Sequence, residues 1–244
     1  MFDALADALS SSPTAVAIIF GTIFVFVVIN VFLTLFIAHT MRHAGDWPGL
    51  GQTVTAGAAD PLRLCAVIGS GGHTTEMTNL LKTLSPDLFA NRTYIVAETD
   101  KMGIDKVMAV EKEIHSRSSN PDSDKFTVET IPRSREVGQS YVSSIFTTIW
   151  ASLASVKTVW SANPDVLLVN GPGTCLPVCV IAYFLDLIRL RNTRIVFVES
   201  VCRVKSLSLT GKILYKLRLA DVILVQWKDL CKLYPRVDYL GVLN

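Results

Sequence analysis

A long run of apolar residues near the start of the chain is the strongest pattern in the sequence. Thr14–Ala38 (TAVAIIFGTIFVFVVINVFLTLFIA) spans 25 residues, and no charged residue lies between Asp7 and Arg42. A helix of that length, at about 1.5 Å per residue, exceeds the roughly 30 Å hydrocarbon core of a bilayer. The pattern predicts a single membrane-spanning helix over residues 14–38, preceded by a short segment over residues 1–13.

The charges around this run predict its orientation. Its N-terminal flank carries Asp3 and Asp7 and no basic residue, which argues against a cleaved signal peptide, whereas Arg42 and His43 follow the run. By the positive-inside rule the N-terminus is lumenal and the rest of the chain is cytosolic. The glycosylation sequon that begins at Asn91 should then stay unmodified. A buried helix of a soluble domain is the alternative, and it explains so long a stretch less well.

After a small, polar linker over residues 39–61, short apolar runs alternate with helical patterns. Strands that are apolar at every position are covered on both faces, and their alternation with helices calls for parallel pairing through right-handed crossovers. We therefore predict an α/β fold, a Rossmann-like doubly wound parallel sheet, in one domain over residues 62–233. The predicted strands are Leu64–Ile68, Thr93–Ala97, Phe126–Ile131, Val166–Val169, Ile195–Val198 and Val222–Val225, with Val237–Leu240 as a candidate seventh. The predicted helices are Thr75–Leu84, Lys101–Glu113, Tyr141–Ser161, Thr174–Leu190 and Leu207–Leu219.

Three segments of this outline need a separate interpretation. The apolar helix predicted after Gly173 is too short for a second span and is predicted to lie in the core. Tyr141–Trp160 could rest partly on a bilayer surface, with packing against the sheet as the alternative. The polar segment His115–Lys125 is predicted to form a loop, because it contains Pro121 and few apolar residues.

Composition excludes several classes of function. There are 23 Lys and Arg against 21 Asp and Glu, and a net charge of +2 argues against holding nucleic acid by bulk electrostatics. The five cysteines form no paired CxxC motif and no Cys/His cluster, and no DxD-type carboxylate pair follows a strand, so neither a metal nor a cofactor is predicted. The thiols are predicted to be buried and reduced, as in a cytosol-facing domain.

Candidate ligand-binding residues follow the first predicted strand, because open parallel sheets bind ligands at the carboxyl ends of their strands. Glycines allow close backbone approach, and the first turn of the next helix offers free N–H groups, so this loop is predicted to cradle a phosphate or diphosphate. The dinucleotide fingerprint would need glycine at position 74, and a P-loop would need a Gly-Lys pair, so both are disfavoured. A tight strand-to-helix turn is the alternative. The loop consists of Gly69, Ser70, Gly71, Gly72, His73 and Thr74.

Further candidate site residues lie at or near the same edge of the sheet. His73 could donate a proton or hydrogen bond to a phosphate, act as general base toward a hydroxyl, or merely shape its loop. Glu199 follows the fifth strand, either as a catalytic carboxylate or as a cap of the next helix. The basic stretch 189–218 suits phosphate groups or an anionic bilayer, or else forms a solvated face. A second glycine-rich turn follows the fourth strand and consists of Asn170, Gly171, Pro172, Gly173 and Thr174.

Taken in order, these motifs resemble a known family. CAVIGSGGHTTEM, PDVLLVNGPGTC, FVESVCRVKSLSLTGKILY, ADVILVQW and the terminal YPRVDYLGVLN are similar to the membrane-anchoring subunit of the two-subunit UDP-N-acetylglucosamine transferase of the dolichol pathway. The resemblance implies one half of a GT-B glycosyltransferase, similar to the acceptor-binding half of the bacterial enzyme that adds N-acetylglucosamine to lipid-linked peptidoglycan precursor. A GT-B enzyme needs two Rossmann-like domains, and this chain has room for one.

The resemblance also implies partners and a location. A small cytosolic catalytic subunit would bind the sugar nucleotide, and the pair would transfer N-acetylglucosamine, with inversion, to N-acetylglucosaminyl-diphosphodolichol. The reaction would take place on the cytosolic face of the endoplasmic reticulum and the continuous outer nuclear membrane, and this chain alone would be inactive. The tail over residues 234–244 would dock the partner through Tyr234, Tyr239, Leu240, Gly241, Val242 and Leu243.

Within this hypothesis the two glycine-rich loops hold the acceptor diphosphate, and His73 or Glu199 activates the acceptor hydroxyl. The alternatives are a self-sufficient, membrane-tethered nucleotide or nucleotide-sugar enzyme and a purely structural recruiter without catalytic residues. The residues assigned to the diphosphate are Gly69, Ser70, Gly71, Gly72, Thr74, Asn170, Gly171, Gly173, Thr174, Arg203 and Lys205.

Overall fold

The structure is a computed structural model that describes residues 13–44, 61–118, 125–134, 139–171, 173–188 and 192–243. The chain divides into two compact units, Met1–Thr55 and Ala56–Asn244. The predicted lumenal segment, most of the predicted linker and the middle of the predicted polar loop fall outside the described residues.

The described part of the first unit is one helix, α1 (Pro13–Ala44, 32 residues). Within α1, Val16–Thr40 is long and apolar enough to cross a membrane, and none of it is buried in the protein. Its polar side chains bond to their own helix: Thr22 Oγ1 donates to a backbone carbonyl one turn earlier at 2.8 Å, and Asn30 Nδ2 does the same at 2.8 Å. Hydrocarbon leaves polar groups no other partner, so this arrangement suits a membrane-spanning helix.

The second unit contains a seven-stranded parallel sheet in the order β3-β2-β1-β4-β5-β6-β7. The direction of winding reverses between β1 and β4, which confirms the predicted doubly wound topology. The last strand of the sheet lies within the predicted docking tail. The strands are β1 (Arg63–Ile68), β2 (Asn91–Ala97), β3 (Lys125–Ile131), β4 (Val166–Val169), β5 (Arg194–Val198), β6 (Val222–Val225) and β7 (Asp238–Tyr239).

Helices cover both faces of this sheet, because alternate residues of its strands are buried in two different clusters. Cys65 and Val67 of β1 belong to one cluster, and Leu64, Ala66 and Ile68 belong to the other. Burying each large aliphatic side chain stabilises the fold by about 1.5–3 kcal/mol. One face carries α2 (Gly72–Thr83) and α3 (Lys101–Arg117), and the other carries α4 (Tyr141–Ala162), α5 (Cys175–Leu187), α6 (Leu209–Lys216) and α7 (Lys228–Leu233). Helix α7, six residues long, was not predicted.

Most large apolar side chains of helix α4 are exposed. Water would favour the opposite arrangement, so this exposed face is suited to an apolar neighbour. The same helix is the second one in the described chain with the length and composition to cross a membrane, although 28% of that window is buried. The buried side consists of Ser144, Ala151, Ser155, Thr158 and Val159. The exposed apolar side chains are Val142, Ile145, Phe146, Ile149, Trp150, Leu153, Val156 and Trp160.

A buried ion pair joins the sheet to α3. The guanidinium of Arg92, on β2, donates to both carboxylate oxygens of Glu111, on α3, at 2.7 Å each. The side chains are 2% and 4% exposed, and the hydroxyl of Tyr94 donates to the same carboxylate. Every polar atom of the carboxylate therefore has a partner in a region that water does not reach.

The cysteines are free thiols that differ in exposure. Cys65 and Cys175 are buried, and burial raises the pKa of each to about 12. Burial also raises the pKa of Cys179 well above its ordinary value. The prediction that all thiols are buried is wrong for Cys202, which lies in an exposed segment after β5, and Cys231 is half-buried.

Candidate functional site

The first glycine-rich loop joins β1 to α2. Gly71 has a φ of +65°, a left-handed conformation that glycine adopts without strain. The hydroxyl of Thr74 is buried and donates to the carbonyl of Gly69, which closes the base of the loop. No side chain in the described structure caps the start of α2, so the N–H groups of its first turn remain available to a ligand.

The second glycine-rich loop, after β4, contacts the first one through His73. Asn170 Nδ2 donates to the backbone carbonyl of His73 at 2.7 Å. Gly171 has a φ of +75°, and a Cβ at this residue would lie 2.6 Å from Cε1 of His73. The predicted approach of the two loops is thus observed, with the imidazole packed on the backbone of Gly171.

Helix α5 follows the second loop and also begins without a side-chain cap; Thr174, the residue before it, makes no capping bond. In contrast, Asp100, Ser140 and Ser208 cap α3, α4 and α6 by accepting a hydrogen bond from a backbone N–H. Three described helices of the second unit, α2, α5 and α7, begin without a side-chain cap, and two of them, α2 and α5, follow the glycine-rich loops on either side of the switch point. Both direct the positive end of their dipole toward this edge of the sheet.

The segment after β3 adds a residue that sequence reasoning missed. Ser134 is 2% exposed, and a Cβ on Gly173 would lie 3.4 Å from its Oγ. Thr147, on α4, donates to the carbonyl of Ser134 at 2.6 Å. A single serine in a segment with no glycine pattern carried no signal for this placement.

Glu199 makes the contacts of a helix cap. Its side chain accepts hydrogen bonds from the backbone N–H of Ser208 at 2.7 Å and of Ser200 at 3.1 Å. The residue is 1% exposed, and burial raises the pKa of its carboxyl, although these bonds and nearby Arg203 oppose the rise. A Cβ on Gly211 would lie 2.6 Å from Oε2, so α6 packs directly on the carboxylate. Of the two predicted roles, the geometry is that of a cap.

Glu76, one turn along α2 from His73, was missed as a site residue. Its Oε1 accepts a hydrogen bond from the hydroxyl of Ser200 at 2.8 Å and from the N–H of Val201 at 3.1 Å. Its Oε2 lies 3.6 Å from Nδ1 of His73. The i, i+3 spacing of histidine and glutamate at the start of a helix was the signal available in the sequence.

The two predicted basic residues lie on the segment between β5 and α6. Both Arg203 and Lys205 are exposed, and the N–H of Arg203 donates to the carbonyl of Ser200 at 2.9 Å. The structure therefore brings their backbone to the same edge as the two loops and leaves their side chains in solvent. Within the described residues, no group of three or more His, Cys, Asp or Glu is arranged to hold a metal ion.

The predicted docking tail packs on the domain at its first residue and exposes apolar side chains near its end. The ring of Tyr234 packs edge-on against Tyr215 with 5.3 Å between centroids. After β7, the N–H of Leu243 donates to Oε1 of Gln226 at 2.9 Å, and Gly241 has a φ of +90°. The side chains that remain exposed are Tyr239 (53%), Leu240 (39%) and Val242 (46%).

A doubly wound parallel sheet whose switch point carries two touching glycine-rich loops defines a Rossmann-like ligand-binding domain, here in a chain that also has an apolar N-terminal helix. Its edge offers two uncapped helix starts, a histidine and a nearby carboxylate. The chain belongs to the family described as "Oligosaccharide biosynthesis protein Alg14 like", whose model matches residues 64–243.

Curated relatives agree with this family. The chain is 44% identical over 183 residues to the mouse protein named UDP-N-acetylglucosamine transferase subunit ALG14, covering 75% of this chain and 83% of that one. It is 42% identical over 182 residues to the human protein of the same name, covering 75% and 83%. The fission yeast protein is 40% identical over 183 residues, covering 74% and 82%. Among solved structures, MurG of Acinetobacter baumannii matches with a TM-score of 0.47 and 14% identity, covering 70% of this chain and 43% of that one.

Proposed function

We propose that this chain is the membrane-anchoring, acceptor-binding subunit of a UDP-N-acetylglucosamine transferase of N-linked glycosylation. The single observation that carries the proposal is the contact between the two glycine-rich loops at His73, where Gly171 packs on the imidazole. Family membership and the names of the relatives support a role in this transferase, and the geometry supports the binding of an anionic acceptor.

The acceptor would be N-acetylglucosaminyl-diphosphodolichol. Its diphosphate fits the edge formed by the starts of α2 and α5, because uncapped N–H groups and two aligned helix dipoles favour negative charge. Gly71 and Gly171 let the backbone approach the ligand closely, and the exposed side chains of Arg203 and Lys205 can add charge from the segment after β5.

His73 would serve as general base in an inverting transfer. The acceptor hydroxyl oxygen forms a bond to the anomeric carbon of the donor sugar while the bond from that carbon to the UDP oxygen breaks. The hydroxyl proton passes to the imidazole, and UDP leaves with the bonding electron pair. Glu199 is too enclosed for this step, and we assign it instead to holding the segment between Ser200 and Ser208.

The donor site would be supplied by a separate cytosolic catalytic subunit. The second unit of this chain contains one Rossmann-like sheet, whereas a GT-B enzyme needs two with the reaction between them. β7 forms an edge strand, and Tyr239, Leu240 and Val242 expose apolar surface beside it. An exposed edge with apolar side chains is a common docking element, so we assign the partner interface to this tail.

The anchor would hold this domain at the cytosolic face of the endoplasmic reticulum, with the N-terminus lumenal. We assign the exposed face of α4 to contact with the bilayer surface. The exposed apolar side chains of this face, from Val142 to Trp160, support this assignment. Helix α4 contains no acidic residue, and Lys157 is its single charged residue. Placing the exposed face against an apolar surface would therefore remove few charged groups from water.

Brominated lipids test the bilayer contact in the full chain. In vesicles with brominated acyl chains we expect tryptophan fluorescence to be quenched, and Trp150→Phe to remove a large part of the quenchable signal. The matched control is Trp227→Phe, because the Trp227 indole donates to the carbonyl of Val201 at 2.6 Å within the domain. Equal quenching in the wild type and the Trp150 variant would place this face outside the lipid.

Reconstitution tests the proposed reaction. Transfer of N-acetylglucosamine to the lipid acceptor is measured with this chain alone, with the partner alone and with both. We expect turnover only in the mixture, because each polypeptide holds half of the active site. Turnover by this chain alone would instead support the self-sufficient enzyme.

Variants of the same mixture separate an acceptor-binding subunit from a purely structural recruiter. His73→Ala and Gly71→Ala should remove most activity while leaving co-purification of the partner unchanged. Deleting residues 240–244 should abolish co-purification of the partner. If the first two variants retain full activity, the loops are not part of the active site and the recruiter interpretation holds.

A further inference from the structure

We infer that Glu76 is a positioning residue, whose carboxylate orients the imidazole of His73 and ties the segment after β5 to the start of α2. The inference rests on the proposed function, in which His73 is the general base, and it identifies the group that makes His73 suited to that task. Glu76 acts through His73 and is not itself assigned a contact with the substrate.

The carboxylate of Glu76 joins two elements that are far apart in sequence. Oε1 accepts from Ser200 Oγ at 2.8 Å and from the N–H of Val201 at 3.1 Å. These bonds hold the carboxylate in one orientation and leave Oε2 facing Nδ1 of His73 at 3.6 Å. The Glu76 side chain is 19% exposed and that of His73 is 35% exposed, so the pair lies at the surface of the crevice.

The backbone of Gly171 restricts the imidazole of His73 at Cε1 and Nδ1. A Cβ at position 171 would lie 2.6 Å from Cε1 and 2.9 Å from Nδ1, so Gly171 lines this edge of the ring. Nδ1 is buried and has no hydrogen-bond partner among the described residues, and the carboxylate oxygen at 3.6 Å is the acceptor beside it. A small rotation of either side chain converts this separation into a hydrogen bond, and catalytic bonds of this kind commonly shorten when substrate binds.

This arrangement selects the imidazole tautomer that a base requires. A carboxylate beside Nδ1 favours the form in which Nδ1 carries the hydrogen, which leaves Nε2 unprotonated and able to accept a proton. After the proton arrives at Nε2, the negative charge of Glu76 stabilises the imidazolium. The arrangement is that of other pairs of a catalytic histidine and an orienting acid.

A double-mutant cycle tests the inference in the assembled two-subunit enzyme with its lipid acceptor. We expect Glu76→Gln to lower kcat by about 100-fold with KM changed by less than about threefold, because the ground state binds normally while the base is misoriented. Glu76→Asp should recover part of the loss. In the His73→Ala background, Glu76→Gln should have little further effect, because Glu76 acts through the missing imidazole.

Two variants control for general disturbance of the fold. Ser200→Ala removes one bond to Glu76 while keeping the carboxylate beside His73, so it should cost far less than Glu76→Gln. Glu113→Gln removes a carboxylate from an exposed pair with Lys82 on another helix and should leave kcat unchanged. The inference is overturned if the losses of kcat caused by Glu76→Gln and His73→Ala multiply in the double variant. It is also overturned if the kcat of Glu76→Gln equals that of the wild type.

The imidazole tautomer provides a measurement that does not depend on activity. The chain has four histidines, so ¹⁵N-histidine spectra of the solubilised full chain can be assigned to His73 with the His73→Ala variant. We expect an unprotonated Nε2 signal in the wild type and in Ser200→Ala, and a mixture of tautomers in Glu76→Gln. Identical spectra in all three would contradict the inference. An active His73→Ala enzyme would instead contradict the proposed function. The spectra would then still show whether Glu76 sets the tautomer of His73.

Discussion

Replacing Gly171 by alanine should lower the activity of the assembled transferase by about two orders of magnitude, a loss expected from displacing a catalytic group by about 1 Å. The added Cβ would lie 2.6 Å from Cε1 of His73, a distance that Cβ atoms do not tolerate, so the ring or the loop must move. The φ of +75° adds strain of about 1–2 kcal/mol for a residue with a side chain. Steady-state transfer to the lipid acceptor, with excess partner, measures the loss.

Gly21→Ala is the matched control for this substitution. Gly21 lies in α1, and a Cβ there meets nothing within 4 Å, so the same chemical change occurs without a clash. We expect wild-type activity from this variant. Wild-type activity from Gly171→Ala as well would mean that the contact between the second loop and His73 has no role in the reaction.

The largest expected effect on stability comes from Glu111→Ala, which should lower the free energy of unfolding by about 3–5 kcal/mol. The substitution removes the carboxylate that accepts two hydrogen bonds from the buried guanidinium of Arg92 and one from the Tyr94 hydroxyl. The cost is therefore dominated by a buried positive charge that loses this carboxylate and not by the lost attraction itself. Urea denaturation of the solubilised chain, followed by far-ultraviolet circular dichroism, measures the change.

Glu113→Ala is the comparison for this prediction. Glu113 lies on the same helix, two residues away, and pairs with Lys82 at 2.8 Å with both side chains substantially exposed. Exposed pairs of this type contribute at most about 1 kcal/mol. If Glu111→Ala and Glu113→Ala lowered the free energy of unfolding equally, burial would not determine how much the Arg92–Glu111 pair stabilises the fold.

The core of the fold was predictable because each strand carries its own signal. β1, β4 and β5 are apolar at nearly every position, and this pattern arises when helices cover both faces of a parallel sheet. Elements with weaker local signals were harder to find. Helix α7 has six residues, and β7 has two, so neither is long enough for a hydrophobic period.

The same difference between local and distant signals applies to the residues of the candidate site. The glycine-rich loops were predictable because positive φ angles at Gly71 and Gly171 require a residue type that the sequence displays. Glu199 was recognised by its place after a strand, but only the packing of α6 on its carboxylate gave a reason to favour the cap over a catalytic group. Glu76 escaped notice because its partners, Ser200 and Val201, are more than a hundred residues away.

The order of apolar, glycine and charged residues was enough to predict the apolar N-terminal helix, the doubly wound sheet and the two glycine-rich loops at one edge of it. These features depend on local geometry, in which residue type and spacing act directly on the backbone. The pairing of Glu111 with Arg92, the position of Glu76 beside His73 and the outward apolar face of α4 depend on side chains that meet only after the strands have aligned. Tertiary structure decides such contacts because each side chain could find several partners, and the register of the sheet selects one.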